Sequence, residues 1–163
     1  MRMDCTGDVQ GKGSAMRWAD ATEERAVLIA QNLREEDRQE VWLSHRATPM
    51  EAVLESWAES DLCRCIETEK GEPVGMTGLN GSRIWMLGTN QLVATRRRRL
   101  QLCIEGRGWV EHCLSAAGMA IGNDVYAKNT QSIRWLKHLG FSVARPRPLG
   151  ESSALFCEFW RAA

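Results

Sequence analysis

The chain has no net charge, no long apolar run, only four prolines and a single tyrosine in 163 residues. Twenty-one basic residues balance twenty-one acidic ones, so no long-range field gathers nucleic acid or anionic membrane, and such contacts would need a local patch. No apolar stretch approaches the roughly 20 residues that cross a bilayer, and the N-terminal segment lacks the apolar core of a secretory signal. A cytoplasmic protein is expected, with no membrane span and no nucleic-acid partner. The six cysteines (Cys5, Cys63, Cys65, Cys103, Cys113 and Cys157) form no repeated framework and read as free thiols in a reducing compartment. Cys63 and Cys65 have neither a CxxC pair nor clustered histidines beside them, so no metal site is expected.

What remains, 44% hydrophobic and 26% charged residues, is the profile of one globular domain. Residues 1–14 carry Gly7, Gly11 and Gly13 without apolar periodicity and read as a flexible N-terminal tail, leaving 15–163 as a single domain. A strand over 15–20 precedes a helix capped by Asp20 or Thr22, with Ala26, Ile29, Ala30 and Leu33 at helical spacing. Helices follow over 35–43 and after Pro49. Alternation over 62–68, 74–79 and 83–87, with Asn80-Gly81 as a tight turn, predicts a three-stranded antiparallel meander. A long helix over 95–117 ends at Gly118; a strand over 119–127, a helix over 129–139 and strands over 141–144 and 155–160 complete the chain. The strand, long helix and strand over 83–127 require a right-handed crossover and a parallel pair. The fold class is α/β: a mixed, mostly antiparallel sheet of six to seven strands flanked by helices. Trp85, Trp109 and Trp135 are expected between the sheet and its two later helices, and Gly106 and Gly108 at helix packing points.

This order, with the run Asn129-Thr-Gln-Ser-Ile-Arg-Trp-Leu-Lys-His-Leu-Gly-Phe141, resembles the GNAT superfamily of N-acetyltransferases, in which a strand ends in Asn and a short helix closes on Gly-Phe. The pair formed by that run and Ile84-Trp-Met-Leu-Gly-Thr89 resembles a narrower branch, the internal virion protein A family of short-tailed phages. The superfamily resemblance implies transfer of an acetyl group from acetyl-CoA to an amine. That chemistry needs main-chain donors for a pyrophosphate at the start of the long helix, a base for the incoming ammonium and an acid for the leaving thiolate.

Each part departs from the superfamily pattern. No glycine stands between Gly88 and the long helix, where the pattern has a glycine-rich phosphate loop. Val93, Thr95, Arg96, Arg97, Arg98, Arg99 and Asn129 are the remaining candidates for holding the cofactor. Four successive arginines at a helix start call for an anion, since the macrodipole there is already positive; a solvated surface is the bland reading. Leu136 falls where the superfamily tyrosine would stand, and the 83–87 strand has no carboxylate. The catalytic residues are left unassigned, with Glu67, Glu105 and Tyr126 as candidates and Asp124 read as turn chemistry.

Two functions follow. The first is a catalytically degenerate GNAT-fold protein that works through phage or host proteins in phage morphogenesis or infection, in host cytoplasm or virion-associated. The alternative is an active acetyl-CoA-dependent N-acetyltransferase with an atypical phosphate-binding loop and a small-molecule or protein amine as acceptor.

Overall fold

The computed structural model describes residues 15–163, so the tail expected over 1–14 lies outside the described residues. Strand β1 (Met16–Asp20) leads to α1 (Glu23–Gln31), whose N-cap Thr22 accepts from the Arg25 N–H while Glu23 and Glu24 complement the helix dipole. Helix α2 (Glu35–His45) ends on Arg46 in the left-handed conformation. Helix α3 (Pro49–Glu59) opens with a reciprocal capping box between Thr48 and Glu51, with Pro49 in its first turn. The meander follows as β2 (Leu62–Thr68), β3 (Pro73–Asn80) and β4 (Arg83–Gly88), then a 3-10 turn over Asn90–Val93. Helix α4 (Arg96–Ala117) runs from its Thr95 cap to left-handed Gly118. Strand β5 (Ile121–Tyr126), α5 (Thr130–His138), β6 (Ser142–Val143), β7 (Arg147–Leu149) and β8 (Ala154–Arg161) complete the chain.

Among the described residues the sheet has eight strands, against the six to seven expected, in the order β1-β2-β3-β4-β5-β8-β6, with β7 also on β8. The unexpected strand is β7: three residues including Pro148 carry no alternation, and proline is tolerated only at such an edge. Every pairing is antiparallel except β4–β5.

Alternation sends neighbouring residues to opposite faces. Cys65 and Met76 pack under α1 and α3 with Ile29 and Val53. Ile66 and Val74 pack on the other face with Leu102 of α4. Farther along that face α4 and α5 cover β5 and β8 through Val110, Cys113, Leu136 and Phe159. Trp109 and Trp135 belong to this side as expected, whereas Trp85 packs with the α1–α3 cluster and its indole N–H reaches Ser60 Oγ at 2.8 Å. Gly106 is a packing point, since a Cβ there would lie 3.2 Å from Leu139. Gly108 faces open space and is not. The described cysteines are free, and burial pushes the thiols of Cys63 and Cys113 up to about 12 and Cys65 to about 11, which leaves them unreactive at neutral pH.

Candidate functional site

Strands β4 and β5 pair at Arg83↔Gly122 and part beyond it. Gly122 permits this meeting because β8 crowds it from the other side: a Cβ would stand 2.2 Å from the Phe159 carbonyl oxygen. Below the pair a cleft of ≈ 1170 Å³ opens, walled by Met86 and Gly88 on β4, Val125 on β5 and Trp135 on α5. The β3–β4 register turns the main-chain groups of Ile84, Met86 and Gly88 toward the parted side. Asn123 Nδ2 donates to the Ile84 carbonyl at 3.0 Å, and α2 takes both groups of Gly88. Met86 N–H and C=O are left facing the gap.

Helix α2 spans this opening. At its start the Arg34 N–H donates to the Gly88 carbonyl at 3.0 Å, and Leu33 bridges Thr89. At its end the β7–β8 turn closes on it: Ser152 Oγ donates to the Leu43 carbonyl at 2.9 Å. A Cβ on Gly150, at φ +71°, would lie 2.7 Å from the Ser44 carbonyl oxygen, so only glycine fits that approach.

Two carboxylates one turn apart on α2 enter the cleft. Asp37, 3% exposed, pairs with Arg34 at 2.9 Å and accepts the Gly88 N–H at 2.9 Å. Burial pushes its carboxyl above the usual range, with Arg34 pulling the other way. Glu40 accepts the Tyr126 N–H on Oε1 at 2.9 Å and Asn129 Nδ2 on Oε2 at 3.3 Å. Burial pushes it up to about 7 against those two bonds, and the nearby Asp37 adds to the rise. Arg34 reaches on to Ser132 Oγ of α5 at 3.3 Å. Arg34 Nε and Trp135 Nε1, both on cleft-lining residues, are buried without an acceptor among the described residues.

The residues singled out from sequence scatter. Glu67 is buried on the α1 side, held by Arg17 at 2.7 Å and Arg25 at 3.2 Å, remote in the sheet from the β4–β5 seam. Glu105 accepts the Trp18 indole N–H at 2.8 Å and Gln101 Nε2 at 3.1 Å, facing β1. Tyr126 sits at the seam, but its ring stacks on Phe156 at 5.4 Å and it is the backbone N–H that meets Glu40. Asp124 is a strand residue paired with Arg147, not a turn residue. Asn129 caps α5 by accepting the Ser132 N–H and donates one side-chain N–H to Glu40. Leu136 is core.

At the start of α4, Thr95 Oγ1 accepts the Arg98 N–H, and no acceptor among the described residues meets the N–H of Arg96 or Arg97. Arg98 donates to the Gln91 carbonyl at 2.6 Å and Arg99 to that of Val93 at 2.9 Å. None of the four arginines has a carboxylate partner among the described residues.

Nothing local marks Glu40: Glu35, Glu36, Asp37 and Glu40 form one acidic stretch of a helix. The only available signal was that Asp37 and Glu40 lie at i and i+3 and so share a face.

No protein-family model matches the chain, and no curated protein matches it in sequence. Solved structures do match. Spermidine N-acetyltransferase from Vibrio cholerae in complex with CoA and spermine is similar over 91% of this chain and 96% of its own, with TM-score 0.66 at 7% identity. A GCN5-related N-acetyltransferase from Kribbella flavida is similar over 91% and 98%, with TM-score 0.61 at 15% identity. The chain has the GNAT fold. An aminoglycoside acetyltransferase in complex with coenzyme A is similar over 90% and 94%, with TM-score 0.60 at 14% identity. At these identities the shared property is the fold alone, and the chemistry has to be argued from this chain's own residues.

Proposed function

We propose that this GNAT-fold chain is an acetyl-CoA-dependent N-acyltransferase acting on an amine, with a helix-end and arginine phosphate site in place of a glycine loop. The observation that carries the reading is the parted seam, where Met86 N–H and C=O stand as an unpaired stretch of strand edge along a cleft of ≈ 1170 Å³. The residues fit the cofactor. An extended arm bearing amides can add to such an edge as a further strand would. Arg34 Nε and Trp135 Nε1, orphaned donors beside the cleft, leave hydrogen-bonding capacity unused at a cost of about 1–3 kcal/mol each. The open amides of Arg96 and Arg97, at the positive end of α4, suit phosphate. Arg98 and Arg99 secure the 3-10 turn, and with it Val93 and Thr95, so the loop is stiffened by side chains where glycine would have made it close-fitting.

When bound, acetyl-CoA supplies an acyl thioester open to an amine. The chain's part is to orient that arm along β4, to shield it with α2 from above, and to bring an amine to the same end of the cleft. The likeness in fold to spermidine and aminoglycoside acetyltransferases supports a small amine as acceptor.

Calorimetric titration of acetyl-CoA tests the reading. A Kd below about 100 µM, together with thiol release on adding spermidine or kanamycin as probe amines, is the expected result; no binding at millimolar ligand overturns it. That failure would leave a non-catalytic scaffold acting through phage or host proteins. One observation favours this second reading: Leu136, 8% exposed, fills core where an acid for the thiolate would be wanted.

A further inference from the structure

We infer that Glu40 of α2 is the proton acceptor for the incoming ammonium, a catalytic residue supplied from outside the sheet. The inference rests on the acyltransferase reading and goes beyond it by naming the group. The carboxylates around the cleft are Asp37, Glu40, Glu51, Glu55, Glu59 and Asp124. Asp37 is neutralised by Arg34, and Asp124 is paired with Arg147 from β7. Glu51 is spent in the Thr48 capping box, and Glu55 and Glu59 lie on the exposed face of α3.

Glu40 differs from all of them. Its partners are neutral: the Tyr126 amide of β5 and the Asn129 side chain at the start of α5. Each oxygen accepts one N–H and keeps a second lone pair. A main-chain amide and an N-cap side chain are rigid supports, so the carboxylate is aimed without a cation to hold its charge. The charged groups facing it are Asp37 and Arg34 from its own end of the chain; Asp37 raises its pKa and Arg34, the smaller influence, lowers it. Burial lifts Glu40 to about 7, which makes it basic enough to take a proton at neutral pH and acidic enough to return it. The pair follows a general pattern in which neighbouring carboxyls are separated by environment into different roles. Asp37 ties α2 to β4, and Glu40 is left to act.

In the step, the Glu40 carboxylate takes one proton from R–NH3+, giving a neutral carboxyl and R–NH2, whose lone pair is then free to form the C–N bond. Overall R–NH3+ and the thioester give amide, thiol and H+. The nitrogen's first proton leaves through Glu40 to solvent, and the second replaces the broken C–S bond on sulfur.

The test uses the full chain with Glu40→Gln, Glu40→Asp and Asp37→Asn. Acetyl-CoA affinity is read by calorimetry, thiol release with spermidine across pH 5.5–9, and side-chain carboxyls by carbon NMR without acyl donor. Expected for Glu40→Gln are a kcat loss of about 100-fold or more, a Kd within twofold, no acid limb, and disappearance of the carboxyl that titrates near neutral pH. Glu40→Asp should retain a weakened limb, and Asp37→Asn should keep the limb while melting lower. If Glu40→Gln keeps the limb or most of the turnover, the assignment is overturned alone. If the unaltered chain neither binds acetyl-CoA nor releases thiol, the acyltransferase reading falls and this assignment with it.

Discussion

Strands β2 and β3 pair continuously from Leu62↔Leu79 to Ile66↔Gly75, whereas β4 and β5 meet at Arg83↔Gly122 and separate. On the zipped flank the strands satisfy one another's main-chain groups, and Glu67, on β2 beyond the register shift that follows Ile66, is closed off by Arg17 and Arg25 as a structural charge. At the seam the N–H groups of Gly88 and Tyr126 have no strand to donate to, and carboxylates from α2 take them. Glu67 is held by two cations and Glu40 by a main-chain amide and an asparagine side chain, and the difference follows from whether the neighbouring strand edge is already paired.

The largest effect that would break this comparison is expected from Asp37→Ala. It strands a buried guanidinium and an amide of β4, costing about 3–5 kcal/mol and a Tm drop on the order of 10 °C, checked by calorimetric melting. Next is Gly122→Ala, which forces a methyl against the Phe159 carbonyl at the one point joining β4 and β5. A loss of about 1–3 kcal/mol is expected in urea unfolding, with faster amide exchange in β5 than in β2.

The pH dependence of stability sharpens the contrast further. The folded chain holds the Glu40 proton up to about 7, while the unfolded chain releases it in the ordinary carboxylate range. This contribution is therefore fully present below that range, falls as pH rises toward 7 and is flat above. Glu40→Gln should remove a fall on the order of 2 kcal/mol between pH 5 and 8, leaving the part that Asp37, shifted in the same direction, contributes. The smallest effect is at the surface: replacing Arg96 and Arg97 by alanine should weaken acetyl-CoA about three- to tenfold and flatten its salt dependence, with Tm unchanged.

Much of the fold could be read along the chain because it is encoded locally. Thr22, Thr48-Pro49, Thr95 and Asn129 each start the helix they cap, and Gly118 ends one, through bonds to residues within one turn. Alternation over β2 to β4 and the Asn80-Gly81 turn gave the meander for the same reason. Strand β7 escaped because three residues of Arg-Pro-Leu have no period, and its partner β8 lies beyond a glycine turn. The candidate site fared worse. Glu67, Glu105 and Asp124 are carboxylates as Glu40 is, and nothing in their neighbours along the chain says which one meets the β4–β5 seam without a cation beside it.

Composition, caps, turns and periodicity by themselves determined a mixed α/β domain with a parallel crossover, because those signals act over a few residues and need no partner from afar. Tertiary structure alone decided that β4 and β5 should part, that α2 should lie across the gap, and that Glu40 should meet Tyr126 and Asn129, residues more than eighty positions away. Desolvation and backbone pairing are properties of that assembled surrounding, and they set what a carboxylate can do.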